Sequence, residues 1–250
     1  MKTKSNRWHL LLREFFICML VGVMALSGVT DSQAQSEPMK IGIIGTGKIG
    51  GTLARHWVKA GHEVFISSRH PENLQSLAQE LGPKAHAGTP REAAAFGEVI
   101  LVSVPYAAIP QIGNDYAAEL AGKVILDTSN PFERRDGPMA AAALKQGAGK
   151  ASAEFLKTNR LVRAYNCIPA AVLAGQATRT HDRIAIPIAG DDAEALAVAE
   201  RLVRDSGFDP VVVGTLEDSR IFELGQPLAT GQMTAAEMQQ KLKELKKGTK

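Results

Sequence analysis

The chain has 250 residues, of which 45% are hydrophobic, and 29 Lys and Arg against 26 Asp and Glu leave a net charge of +3. That is enough chain for one globular domain, or one domain with a small extension. So small a positive charge gives no case for a nucleic-acid partner, and the basic tail at residues 241–247 reads as a solvated helix end.

The chain opens on a basic start of Lys2, Lys4, Arg7 and Arg13, followed by an apolar run over residues 15–29. Ser32-Gln33-Ala34 then places small residues at the −3 and −1 positions of a cleavage site, the layout of a secretory signal peptide. The run is shorter than the roughly 20 apolar residues of a transmembrane helix. Residues 1–38 are therefore expected to be signal peptide and linker, cut near Ala34. The product would be exported to the periplasm, with no stable membrane span after cleavage; an uncleaved anchor is the other outcome. Met39 stands immediately before the first strand, and translation from it would give a cytoplasmic protein. Of the two cysteines, Cys18 and Cys167, only Cys167 survives cleavage, so no intrachain disulfide or cysteine metal cluster is expected. The six His are scattered without metal-ligand spacing, and no metal site is expected.

The apolar run Ile41-Gly42-Ile43-Ile44 reads as a strand, and residues 51–60 as a helix. Between them lies Gly45-Thr46-Gly47-Lys48-Ile49-Gly50, a G-x-G-x-x-G turn placed as a dinucleotide site requires. Gly45 permits the tight turn, Gly47 the approach of backbone to a pyrophosphate, and Gly50 close packing of helix on strand. The helix N-terminus offers free N–H groups and partial positive charge to the phosphates.

His62-Glu63-Val64-Phe65-Ile66 reads as the second strand and ends in Ser67-Ser68-Arg69. An NAD site usually places Asp or Glu there, for the ribose 2′-OH. Two hydroxyls and a guanidinium stand there instead. A carboxylate would repel a 2′-phosphate, whereas Arg grips one through a planar fork. Ser68 and Arg69 are therefore expected to select NADP(H).

Strand and helix patterns alternate onward. Val99-Ile100-Leu101-Val102 and Val124-Ile125-Leu126 read as buried parallel strands, with helices over residues 72–81 and 107–120. A strand over residues 161–165 would complete a six-stranded nucleotide-binding domain, 39–166. This is the rhythm of an α/β, doubly wound parallel sheet, a Rossmann fold. Residues 167–250 keep a strand pattern, at 184–188 and 210–213, with helices over 192–206 and 235–246. They read as a short α/β C-terminal extension completing the acceptor site, where many dehydrogenases with a similar start continue into a large helical domain.

In combination these motifs resemble the F420-dependent NADP oxidoreductase family, whose members pass hydride between NADP(H) and the deazaflavin F420. The resemblance covers most of residues 39–228. It rests on the run Gly42 to Gly50, Ser68-Arg69, Val102-Ser103-Val104-Pro105 and Asp127-Thr128-Ser129-Asn130-Pro131. Arg163-Ala164-Tyr165-Asn166 and Gly214-Thr215-Leu216 with Arg220 and Glu223 extend it. The cytosolic domain of the STEAP metalloreductases is similar too, and there hydride passes from NADPH to a flavin.

The resemblance implies a site. Thr46, Gly47, Lys48 and Ile49 would wrap the pyrophosphate through backbone N–H groups, and Ser68 and Arg69 would hold the 2′-phosphate. Ser103, Val104 and Pro105 would line the ribose and nicotinamide. Asn130 would bond the nicotinamide ribose, or serve only as a turn residue before Pro131. Backbone groups of Asn166 and Cys167 would orient the carboxamide, or merely pack. Family members often carry a further basic residue past the arginine, where this chain has His70-Pro71-Glu72-Asn73. Hydride transfer between ring systems needs little acid–base help, so no catalytic acid is assigned. Tyr106 and Tyr165 are either acceptor contacts or packing residues. The expected partner is a small-molecule hydride acceptor: F420, FMN or FAD, or alternatively a small carbonyl or imine. A non-catalytic NADPH-binding module and a homodimer both stay open.

Overall fold

In the computed structural model, which describes residues 37–229 and 231–248, the buried apolar runs become the strands of one sheet. The expected signal peptide and its cleavage site near Ala34 lie outside the described residues. The first half runs β1 (Lys40–Ile44), α1 (Lys48–Lys59), β2 (Glu63–Ser67), α2 (Gln75–Leu81), β3 (Ala85–Gly88), α3 (Pro90–Phe96) and β4 (Val99–Val102). It continues through α4 (Ile109–Asp115), α5 (Ala117–Leu120), β5 (Val124–Asp127), α6 (Glu133–Asp136), α7 (Pro138–Gln146), α8 (Ala148–Phe155) and β6 (Leu161–Arg163). Then come α9 (Ala170–Gly175), β7 (Ala185–Gly190), α10 (Ala193–Asp205), β8 (Asp209–Gly214) and α11 (Ala235–Gly248).

The strand order is β3-β2-β1-β4-β5-β6-β7-β8. Pairing is parallel from β3 through β6, so the carboxyl ends of β1, β2, β4, β5 and β6 share one edge. β7 runs antiparallel to β6, and β8 parallel to β7, so the C-terminal strands continue the same sheet. Strands buried on both faces carry unbroken apolar runs, as in β4 and β5. On one face Leu53, Trp57, Leu202 and Phe208 cover Ile41, Ile43 and Ile186; on the other Ile109, Ala151 and Leu156 cover Ile100, Ile125 and Leu161. Among the described residues no helix is long and apolar enough to cross a membrane, and no group of His, Cys, Asp or Glu could hold a metal ion.

Three differences from the sequence reading have local causes. The helix expected over 107–120 is broken at Tyr116, whose φ is −118°. Arg91 takes the Asp115 carbonyl at 2.6 Å and lays its guanidinium 5.1 Å from the Tyr116 ring centre. Residues 133–155, left without elements, form α6 to α8, separated by Gly137 and Gly147 at φ of +68° and +97°. β3 and α3 are further elements, and Thr89-Pro90-Arg91-Glu92 starts α3 with a capping box and Pro in the first turn.

His56 in α1 and His62, in the turn before β2, are expected to make stability depend on pH. His62 Nδ1 accepts the Met39 N–H at 3.0 Å while Nε2 donates to Asp205 at 2.9 Å, an arrangement only the neutral ring provides. Burial pushes the pKa of both His62 and His56 down. The folded state therefore binds protons less readily than the unfolded chain, whose His titrates near about 6.5. Stability conferred by these rings is present above that pH and is lost as pH falls below it. Urea unfolding at pH about 7.5 and about 5.5 is expected to show lower stability at the acid value. His62→Gln is expected to flatten that difference; an unchanged slope would remove His62 as a cause.

Candidate active site

The three glycines of the turn after β1 do different things. Gly45 has φ +97°, and a Cβ there would strike the Ser103 carbonyl and lie 2.8 Å from Val104 Cγ1. A Cβ on Gly50 would strike the Gly45 carbonyl, so α1 packs on the turn only with glycine there. Gly47 is different. Its φ is −84°, any residue could adopt it, and nothing among the described residues lies within 4 Å of its missing Cβ. No contact among the described residues accounts for this glycine, and the space it leaves opens at the N-terminus of α1. That helix has no side-chain cap and no acidic residue in its first turn. The first N–H groups of a helix have no intrahelical acceptor, so Gly47, Lys48, Ile49 and Gly50 present donors where a Cβ is missing. This cradle fits a pyrophosphate.

Thr46 departs from its expected role. Its N–H donates to the Ser67 carbonyl at 3.1 Å, its hydroxyl donates to the same oxygen at 3.0 Å, and the Gly45 N–H points there at 3.3 Å. Thr46 thus ties the turn to the end of β2, and Gly50 takes its place in the donor set. Ser67 in turn donates its hydroxyl to the Ile43 carbonyl at 2.7 Å.

Beyond Ser67, Ser68 Oγ accepts the His70 N–H at 2.9 Å and closes a small turn. That turn holds Arg69 out into solvent, and Arg69 makes no ion pair among the described residues. His70 Nδ1 lies 3.3 Å from a Glu72 carboxylate oxygen, so the lip offers Arg69 as its free guanidinium.

The ends of β4, β5 and β6 build the rest of the edge. Ser103 and Val104 are half-buried and Pro105 is exposed, with the Ser103 N–H on the Ile44 carbonyl at 2.9 Å. Asn130 is more than a turn residue: its Nδ2 donates to the Asn166 carbonyl at 2.7 Å and bridges β5 to β6, leaving Oδ1 as an acceptor. Asn166 donates Nδ2 to the Phe222 carbonyl at 3.1 Å, while its own Oδ1 is buried without a partner among the described residues. Tyr165 holds a left-handed φ of +59°, a strained value for a bulky residue. The strain turns the chain at the end of β6 and is held by the Tyr165 hydroxyl, bonded to Ser206 Oγ at 2.9 Å and Leu202 O at 3.2 Å.

No proton donor suited to neutral pH stands among these groups. Tyr106 is buried, donates to the Ala148 carbonyl at 2.9 Å, and burial pushes its pKa up to about 12. Tyr165 is equally buried, packed edge-on to Trp57, and its pKa too is raised by burial. Both tyrosines belong to the core and neither reaches an acceptor. Burial pushes the Cys167 thiol up to about 12, which keeps it protonated and unreactive.

Phe132 stands exposed at this edge beside the charged side chains of Glu133, Arg134 and Arg135. Phe132, 45% exposed, follows directly on Asn130-Pro131, and Arg135 lies 5.0 Å from its ring centre. Its loop is pinned because Asp136 accepts from the Phe132 N–H at 2.9 Å and the Ala107 N–H at 3.3 Å. The turn Glu217–Phe222 is held against residues 145–148, and its Phe222 carbonyl accepts from Asn166 beyond β6. Arg220 donates to the Lys145 carbonyl at 3.0 Å, and the adjoining Glu223 accepts the Ala148 N–H at 2.8 Å. Leu224, 48% exposed, follows it.

The chain is similar to known proteins. Residues 40–131 match the family described as NADP oxidoreductase, coenzyme F420-dependent. The F420-dependent NADP reductase of Methanothermobacter marburgensis is 32% identical over 204 residues, covering 76% of this chain and 90% of that protein. The rat metalloreductase STEAP3 is 30% identical over 195 residues, 77% of this chain, which spans 37% of that protein's length. Among solved structures, a hypothetical protein of Sinorhizobium meliloti superposes with a TM-score of 0.66 at 28% identity. That match covers 78% of this chain and 94% of the other.

Proposed function

The chain belongs to the F420-dependent NADP reductase family and is an NADP-dependent oxidoreductase, and on that footing we propose that its acceptor is a flat fused ring, a flavin or a deazaflavin of the F420 type. The observation that carries this reading is the chemistry of the edge. Amides, hydroxyls and backbone groups surround the strand ends, and the nearby tyrosines and Cys167 have pKa values raised by burial. A carbonyl or imine acceptor needs a proton delivered in step with the hydride; a conjugated ring takes up hydride with little such help.

Bound NADPH supplies the hydride from its nicotinamide ring. The residues do the rest. Gly47 to Gly50 hold the pyrophosphate by backbone N–H groups at the α1 N-terminus. Arg69 takes the 2′-phosphate. Asn130 Oδ1 accepts from a ribose hydroxyl, and Asn166 Oδ1 from the carboxamide N–H. Ser103, Val104 and Pro105 line the side toward β4. Phe132 offers an apolar face to the acceptor ring, where distance and angle set the rate.

The test is NADPH oxidation by the chain starting at Gln35 or Met39, with F420, FMN and FAD assayed side by side. Consumption of NADPH is expected only with a ring acceptor present. Tight NADPH binding with no oxidation by any of the three would count against the proposal.

A further inference from the structure

We propose that Arg163 is a positioning residue for the nicotinamide half of the cofactor, acting through the Ser129-Asn130 turn. The inference rests on the reading that Asn130 faces the nicotinamide ribose.

Asp127, at the end of β5, and Arg163, at the end of β6, stand opposite one another in the parallel register, and both side chains are fully buried. Arg163 Nη1 donates to Asp127 Oδ2 at 2.8 Å and to the Ser129 carbonyl at 2.6 Å. Asp127 Oδ1 accepts the Ser129 N–H at 2.8 Å. One ion pair thus grips the peptide groups on both sides of Ser129, the residue before Asn130. Asn130 then reaches across to the Asn166 carbonyl. The pair fixes the direction in which Asn130 leaves the strand.

Stability gives a poor account of this pair. Two buried charges carry a desolvation penalty that apolar replacements of similar volume avoid, often with a gain in stability. The guanidinium is also incompletely satisfied: Nε and Nη2 are buried without partners among the described residues. The fold nevertheless makes room for it. A Cβ on Gly149 would lie 2.8 Å from Arg163 Cγ, so α8 carries glycine where the arginine stem passes. What the pair does supply is a rigid turn at the edge where nicotinamide must lie. A small misplacement there lowers hydride-transfer rates steeply.

The experiment compares Arg163→Lys, Asn130→Ala and the double variant. It measures dissociation constants for NADPH and for 2′,5′-ADP, which lacks the nicotinamide half. Binding needs no acceptor, so the result is independent of which ring is reduced. Arg163→Lys is expected to weaken NADPH by about twofold to tenfold, the loss of one hydrogen bond, and to leave 2′,5′-ADP unchanged. The double variant is expected to bind NADPH no more weakly than Asn130→Ala alone. Multiplying single-variant effects, equal weakening of both ligands, or no change in NADPH binding would each overturn the proposal. Asn130→Ala without effect would overturn it as well, through the reading of Asn130 itself. Should Arg163→Lys not fold, Asp127→Asn keeps an acceptor for the Ser129 N–H while removing the charge that holds Arg163. It is expected to show the same NADPH-only weakening, and weakening of both ligands would count against the proposal.

Discussion

Gly47→Ala is expected to fold almost as well as the wild type and to lose NADP(H) affinity by tenfold or more, whereas Gly50→Ala is expected to lose stability. The two glycines are three residues apart in one motif, and their surroundings separate them. Ala at 47 meets no atom of the described residues and needs no change of backbone conformation. Its effect on stability is the loss of a glycine at the N-cap, held within about 1 kcal/mol. Its methyl, however, fills the space at which the first N–H groups of α1 are aimed. A phosphate pushed away from even one such donor loses a charge-assisted bond of roughly 1.5–3 kcal/mol, which is about tenfold to a hundredfold in affinity. At position 50 the methyl strikes the Gly45 carbonyl, and Gly45 is itself fixed against Ser103. Overpacking of this kind costs about 1–3 kcal/mol. Urea unfolding together with NADPH fluorescence titration separates the outcomes. Equal loss of stability in both variants would show that Gly47 serves the fold and that the cradle is misread.

Arg69→Ala is expected to lower the ratio of NADPH to NADH affinity by about tenfold to a hundredfold, the contribution of one charge-assisted contact. Arg69 is exposed and unpaired among the described residues, so stability is expected to stay within about 0.5 kcal/mol. The neighbouring His70 is turned to Glu72 at 3.3 Å, and both side chains are about 70% exposed. With selection resting on one guanidinium, the NADPH preference should fall as salt screens the contact. Dissociation constants for both cofactors at low and high salt check this. An unchanged ratio in the variant would move recognition of the 2′-phosphate away from the end of β2.

What could be read in advance was what depends on local sequence. The glycine turn between strand and helix, the hydroxyls and arginine ending β2, and the buried runs of β4 and β5 each carry their meaning in a few adjacent residues. What could not be read depends on register and on distant partners. Thr46 looked like a phosphate donor because its motif says so, and only the approach of the Ser67 carbonyl shows its N–H engaged. Asp127 and Arg163 sit 36 positions apart, and nothing in either segment says that they face each other. The arginine left one trace: a charge inside the otherwise apolar run Leu161-Val162-Arg163-Ala164 needs a buried partner. Tyr165 had none, because a left-handed tyrosine looks like any other until φ is measured.

The central claim is that hydride passes directly from the nicotinamide to a ring lying at the ends of β4, β5 and β6. The measurement that tests it most directly is a single turnover of NADPH carrying deuterium at the transferring C4 position, with F420 as acceptor. Direct transfer places the deuterium on the acceptor carbon, with a primary isotope effect on the loss of NADPH absorbance. Deuterium appearing in solvent, or bound NADPH left unoxidised with F420, FMN and FAD alike, would contradict the account.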